Sequence, residues 1–264
     1  MIIKEFRVVN NCTLQEYQVA QLYMVIEASK QETGGGDGVE IHVNEPYENA
    51  EMGKGQYTKK TYHLSTKVPG WVKALAPAGS LELYEEAWNG YPHCRTVLTN
   101  GYMKDSFKLI VETMHVGDSR GEKENALNLK PEVMKKREVA VIDLVNDKLE
   151  HKHYKAEEDP TLYQSKKTGR GPLGKDYVKT CEPVMTCYKL VTVEFKWFGL
   201  QGRVESFIIN TMKTLFLKSH RQLYSLTDEW CELTMEDIRR MEKETQVLLD
   251  DKRKNAALSG SKAD

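Results

Sequence analysis

No stretch of this 264-residue chain approaches 18 uninterrupted apolar residues, so no membrane span is expected. Neither sign of charge is in excess. Thirty-eight Lys and Arg stand against 39 Asp and Glu, a formal net charge of −1, and no basic field points to nucleic acid. No C-x-x-C pair occurs. The five cysteines, Cys12, Cys94, Cys181, Cys187 and Cys231, are odd in number and scattered, and six residues from Cys181 to Cys187 is no common zinc spacing. Reduced thiols in a cytoplasmic protein are the simple reading. The start "MIIKEFRVVNN" lacks a basic segment followed by a long apolar one, which argues against a signal peptide. Catalytic signatures are missing too: no G-x-x-x-x-G-K-[ST], no G-x-S-x-G, no H-E-x-x-H. His115 and His220 are lone candidates for a base, and neither has a nucleophile near it in sequence. These absences predict a non-enzyme with no catalytic residue, no metal and no cofactor.

What is present predicts one α+β domain over residues 1–250 and a polar tail over 251–264. A hydrophobic content of 40 % allows a sizeable core. "IIKEFRVV" reads as a strand. "NNCTLQEYQVAQLYMVIEASK" reads as a helix, with Thr13 and Glu16 as a capping box and Val19, Leu22, Tyr23 and Ile26 on one face. "ETGGGDG" is a turn. From Val39 to about Val116 the pattern becomes antiparallel strands, with a short helix around Trp71 to Leu75. The charged, turn-rich run from Tyr154 to Tyr177 predicts a long loop with a function or mobility of its own. "YKLVTVEFKWFG" returns to strand, Val204 to Trp230 predicts one long helix, and a last helix runs from a Thr234–Asp237 cap through Leu249.

Alternation along the strands exposes the chemistry. Thr58, Lys60 and Tyr62 share a face, as do Leu83, Glu85, Ala87 and Asn89. Cys94 and Thr96 lie beside Leu98; Thr113 shares a face with Phe107, Leu109 and Val111; Lys189 shares one with Val191, Val193 and Phe195. Inward lysines need anionic partners. A salt bridge from Lys60 to Glu85 answers part of that need. Lysine, threonine and asparagine beside a long apolar wall also suit an amphiphile with a phosphate head. Trp197 and Phe198 are adjacent, so a strand cannot turn both into one core, and at least one is expected at a rim.

The segments "EYQVAQLYMVIEASK", "GQYTKKTYHL", "AWNGYPHCRTV", "KTGRGPLG", "YKLVTVEFKWFGLQ" and "LTMEDIRRME" closely resemble the class I phosphatidylinositol transfer proteins, and the resemblance runs from about Ile2 to Thr245. It implies a strongly curved, mostly antiparallel sheet covered by long helices around an internal lipid cavity, a START-like or helix-grip fold. It implies that one phospholipid, phosphatidylinositol or phosphatidylcholine, is bound as ligand and carried between membranes in support of phosphoinositide signalling. Presentation of lipid to a phosphoinositide kinase is the alternative, and such kinases are the protein partners it suggests. The location it implies is cytoplasmic, as a monomer with transient peripheral contact with a membrane surface.

Roles follow position by position from the same resemblance. Thr58, Lys60, Glu85 and Asn89 match the residues that hold the inositol ring. Gln21, Thr96, Thr113 and Lys189 match those around the phosphate. Cys94 matches a cysteine linked to phosphatidylcholine handling, and Glu242 an acidic residue linked to inositol-lipid selectivity. Trp197 and Phe198 match a membrane-docking pair that is usually Trp-Trp. Ser165 matches a phosphorylation position in the basic loop, with Lys166 where vertebrate members carry an apolar residue.

Overall fold

Strand β1 (Ile2–Asn10) is almost wholly buried although it carries Glu5 and Arg7, because it lies inside the sheet with both faces covered. In the computed structural model, which describes residues 1–260 apart from 33–37, 65–67, 69, 76, 78 and 79, its neighbours are β8 (Met185–Phe195) and β7 (Glu138–Ile142). Backbone alone is described at 32, 71, 72, 75 and 253–260. The "GGGDG" turn therefore falls outside the described residues, except for Gly38.

The other strands are β2 (Gly38–Asn49), β3 (Gly53–His63), β4 (Glu82–Gly90), β5 (His93–Thr99) and β6 (Phe107–Gly117). They form one curved sheet in the order β2-β3-β4-β5-β6-β8-β1-β7. Every pairing is antiparallel except β1 with β7. Short connections join β2 to β3, β4 to β5 and β5 to β6, while residues 64–81, with the short helix α2, link β3 to β4. The parallel edge strand needs the long crossover from 118 to 137, and that crossover covers the outer face of β1. Arg7 Nη1 donates to the Gly121 carbonyl at 2.9 Å, while Arg7 Nε at 2.7 Å and Arg137 Nη1 both donate to the fully buried Glu5. Two guanidinium groups on one carboxylate satisfy a charge that burial would otherwise penalise by several kcal/mol.

Helices cover the inner face. In α1 (Leu14–Glu32) the predicted capping box is formed: Glu16 N–H donates to Thr13 Oγ1 at 3.1 Å, and Thr13 N–H to Glu16 Oε2 at 2.8 Å. The short helix α2 (Gly70–Leu75) stands where it is predicted. Two single turns, α3 (Pro131–Met134) and α4 (Tyr177–Thr180), punctuate the loops. Then come α5 (Gln201–Ser225), α6 (Thr227–Trp230) and α7 (Met235–Gly260).

The single helix expected from Val204 to Trp230 is thus two. Thr227 Oγ1 donates to the Tyr224 carbonyl at 2.6 Å, which takes an acceptor from the ending helix. The break lets Trp230, 1 % exposed, swing inward and donate its Nε1–H to the Leu223 carbonyl at 2.7 Å. The last helix begins at the predicted Thr234–Asp237 cap but continues past Leu249 to Gly260, since "DKRKNAALS" contains no helix breaker. The long loop is pinned rather than slack. Arg170 Nη2 donates to Glu16 Oε1 at 2.7 Å, and Tyr177 is buried with its hydroxyl accepting from Leu144 N–H at 3.1 Å.

Candidate functional site

Strand register assembles the polar residues into adjacent rows on one face. Lys60 stands opposite Glu85, which is opposite Leu98. Thr58 stands opposite Ala87, and Ala87 opposite Thr96. Asn89, Cys94, Thr113 and Lys189 form a third row across four strands. Paired residues share a face, so the alternation read from each strand separately is consistent across the sheet. The Lys60–Glu85 row runs on through Leu98, Leu109 and Val193, the next row toward Trp197 holds Phe107 and Phe195, and the Asn89–Lys189 row lies at the far end.

Between this face, α1 and α7 lies a cavity of about 180 Å³. Its walls include Gln21 and Ile26 of α1, Thr58 and Lys60 of β3, and Glu85 and Asn89 of β4, with Thr96 behind them and Glu242 and Thr245 from α7. Lys60 Nζ lies 3.5 Å from Glu85 Oε1, and the Tyr62 hydroxyl donates to Glu85 Oε2 at 2.9 Å. Thr58 Oγ1 and Thr245 Oγ1 are buried and have no hydrogen-bond partner among the described residues. Leaving such a group unmet costs roughly 1–3 kcal/mol. A loose ammonium–carboxylate pair beside two unmet hydroxyls offers donors and acceptors together, which is what a polyhydroxylated ligand needs.

The far row has different chemistry. Among the described residues no carboxylate pairs with Lys189; its Nζ rests 5.1 Å above the Phe216 ring. Its surroundings are neutral. Burial pushes the Cys94 thiol up to about 12, against the pull of Lys189. Burial, then repulsion from Lys189, lowers His115 to about 3, and the same two causes hold His220 well below the usual histidine range. His115 Nδ1 lies 2.8 Å from the Pro92 carbonyl, so it carries the proton and leaves Nε2 a bare acceptor. A lone ammonium among neutral groups calls for an anion. Thr113 and Lys189 are register partners at that spot.

The two buried histidines predict a pH dependence. In the unfolded chain they take up protons near pH 6.5, whereas folded His115 resists until about pH 3. Their depressed values favour the fold above pH 6.5, and that contribution is lost as pH falls from there toward 3. The slope is roughly 1.4 kcal/mol per pH unit for each histidine. Urea unfolding midpoints measured from about pH 7 to pH 5 are expected to drop, and His115→Gln to flatten the drop. Midpoints that hold constant in the parent chain would contradict the burial of neutral imidazoles.

At the other end of the sheet β8 stops at Phe195, and both rim aromatics turn out: Trp197 is 37 % exposed and Phe198 fully so. Gly199, at φ +77°, supplies the reversal, and Leu200 and Gln201 N–H groups both donate to the Trp197 carbonyl at 3.1 Å. Buried Glu205 fixes the base of the loop, its Oε1 accepting from Phe195 N–H at 3.0 Å and Gln201 Nε2 at 3.2 Å. The pair is held out, not merely left out.

Glu242 meets Arg239 Nη1 at 2.7 Å and Asn44 Nδ2 at 3.4 Å, which ties α7 to β2 at the cavity edge. Ser165 does not line the cavity and is 1 % exposed; it donates to Asp228 and accepts from Thr168 N–H at 3.0 Å. Phosphorylation there requires the segment to lift from α6. Three contributors were not singled out as site residues from sequence. Tyr62 lies on the same alternation face as Lys60. Gln56 lies on it too and donates to Asn44 at 2.6 Å. Thr245 lies one turn beyond Glu242, so helical spacing alone would place it beside that carboxylate.

Comparison with known proteins bears on this geometry. The family model described as phosphatidylinositol transfer protein matches residues 1–247. The chain is 53 % identical over 269 residues to a phosphatidylinositol transfer protein beta isoform of Rattus norvegicus, covering 100 % of this chain and 98 % of the relative. It is 48 % identical to phosphatidylinositol transfer protein 1 of Dictyostelium discoideum, with 93 % of each chain covered. It is 44 % identical over 94 % of its length to a membrane-associated phosphatidylinositol transfer protein 1 of Mus musculus, of which it spans 20 %.

Proposed function

The chain belongs to the phosphatidylinositol transfer protein family, and from that premise we propose how its cavity holds phosphatidylinositol or phosphatidylcholine and carries it between membranes. Proteins of this family transfer lipid and are not enzymes. Each methylene taken from bilayer to water costs about 0.8 kcal/mol. A two-chain lipid with roughly 30 methylenes therefore faces on the order of 25 kcal/mol if it crosses water bare. A protein site that replaces the bilayer removes most of that barrier; the 180 Å³ cavity beside α1 and α7 is its head-group end, and the inner sheet face beyond it takes the chains. Leu83, Leu98, Val111 and Phe195 face inward yet are only half-buried, which leaves apolar surface for acyl chains to cover.

The head group then lies between the Lys60–Glu85 pair and the Asn89–Lys189 row. Thr58, Lys60, Glu85 and Asn89 hold the inositol ring. Gln21, Thr96, Thr113 and Lys189 take the phosphate, with the Lys189 ammonium as the charge partner. Cys94 sits between these groups as a neutral, apolar neighbour. Choline brings no hydroxyls, so the ring contacts favour phosphatidylinositol while the phosphate contacts serve both lipids. Glu242 limits the head group from the α7 side. The protein works in the cytoplasm as a monomer and meets membranes through Trp197 and Phe198, with Ser165 as a modification site that unlatches its segment.

The observation that carries this reading is the buried, unpartnered Thr58 hydroxyl beside the 3.5 Å Lys60–Glu85 pair. Native mass spectrometry of the chain purified from cells is expected to show one glycerophospholipid per protein. An empty chain would overturn carriage.

A further inference from the structure

A second exposed turn stands at the same end of the sheet as Trp197 and Phe198. Between β5 and β6, Tyr102 is 53 % exposed and Met103 is half-buried. Phe107 pairs with Phe195, so this turn lies beside the β8–α5 loop. The two are bonded together. Lys196 N–H donates to the Ser106 carbonyl at 2.7 Å, and the rings of Phe107, Phe195 and Trp197 follow one another at centroid spacings of 6.4 and 6.3 Å.

Asn100 fixes the other side. It is buried, and its Nδ2 donates to the carbonyls of Ser80 and Glu82 at 2.7 Å each. Its Oδ1 accepts from Tyr102 N–H at 3.1 Å and Met103 N–H at 2.9 Å. One side chain therefore ties the turn to the start of β4 and shapes its tip. The tip is amphipathic: next to the Tyr102 ring stand exposed Lys104 and Asp105.

We propose that Tyr102 and Met103 form a second membrane-inserting finger beside Trp197–Phe198, with Lys104 reaching anionic lipid head groups and Asn100 as the positioning residue. The proposal rests on the reading that this chain exchanges lipid at a bilayer. Two observations favour a membrane as occupant. The finger is continuous with the docking loop through the Lys196–Ser106 bond and the ring contacts, edge-on from Phe107 to Phe195 and stacked from Phe195 to Trp197. Its tip also has the composition of a membrane interface, a tyrosine ring with a polar end beside a lysine that snorkels. Two fingers on adjacent strands orient the sheet end toward the bilayer, which one loop on a pivot does not do.

The test compares three chains on vesicles of phosphatidylcholine and phosphatidylserine: the parent, Tyr102→Ser with Met103→Ser, and Trp197→Ala with Phe198→Ala. The Tyr102/Met103 variant is expected to bind vesicles roughly fivefold to tenfold more weakly and to keep its bound lipid, with a lowered thermal midpoint because the inner part of Met103 packs against the core. A second readout labels Tyr102→Cys in a Cys231→Ser background with an environment-sensitive fluorophore, and its emission should shift blue on adding vesicles. Unchanged binding and no blue shift, while the Trp197/Phe198 variant loses binding, would overturn the second finger alone. No loss in either variant would overturn the docking reading beneath it. If the serine variant proves unstable, the blue shift decides.

Discussion

Thr58→Asp is expected to reduce phosphatidylinositol transfer by at least about a hundredfold and to leave phosphatidylcholine transfer within about threefold of the parent. Thr58 is 8 % exposed and its hydroxyl has no partner among the described residues, while Glu85 already places one carboxylate in the same cavity. A second carboxylate has two options, and both harm the ring site. It can pair with Lys60 and withdraw that ammonium from the ring, or it can lie unpaired and repel the ring oxygens. Two or three hydrogen bonds lost at roughly 1–1.5 kcal/mol each amount to about 3 kcal/mol, or a hundredfold. Phosphatidylcholine makes none of those bonds. Of the residues proposed for its phosphate, Thr113 and Lys189 stand on β6 and β8, three and four strands from Thr58 on β3, so its transfer should be spared. Transfer assays with each labelled lipid measure both numbers. Equal loss of the two activities would remove Thr58 from the ring site. Thr58→Val is the milder control, since it deletes the hydroxyl and adds no charge.

Trp197→Ala with Phe198→Ala is expected to slow exchange with vesicles at least about tenfold while the purified protein keeps its lipid. An aromatic side chain buries about 150–250 Å², and covering half of each ring by acyl chains is worth roughly 4–6 kcal/mol for the pair. Residence on the membrane should fall accordingly. The cavity should not change, because Glu205 and Gly199 hold the loop from its base and the inner rows end at Phe195. Stopped-flow exchange of a fluorescent lipid reads the rate, and mass spectrometry reads the content. An unchanged rate would remove the rim pair from docking. A lost lipid would recast it as part of the cavity wall.

Much of this arrangement was legible before any coordinates. Period-two alternation placed Thr58, Lys60, Glu85, Asn89, Thr96, Thr113 and Lys189 on inward faces one strand at a time, and capping boxes marked the starts of α1 and α7 at the right residues. The resemblance to a known family then supplied roles that alternation cannot. Other features were not legible because they depend on contacts distant in sequence. The break at Leu226 follows from a hydroxyl competing for a carbonyl and from the pull of the core on Trp230. The parallel placement of β7 depends on Arg137 finding Glu5 across 132 residues. Burial of Ser165 depends on Asp228, 63 residues away.

The sequence alone determined the class of molecule: strands with an apolar face that ends in polar residues, no catalytic motif, and two adjacent aromatics that no single strand can bury together. Those properties are local, set by the two-residue period of a strand and by side-chain chemistry. Only the tertiary structure decided which polar residues meet. Register between strands brought Lys60 to Glu85 and lined Asn89, Cys94, Thr113 and Lys189 into one row, whereas α1 and α7 closed the cavity over Thr58. It also decided that Lys60 has a carboxylate partner and that, among the described residues, Lys189 does not, although both are inward lysines by alternation. The reason is geometric: pairing and burial depend on separations of a few ångströms between residues tens of positions apart, and those distances exist only once the sheet has formed.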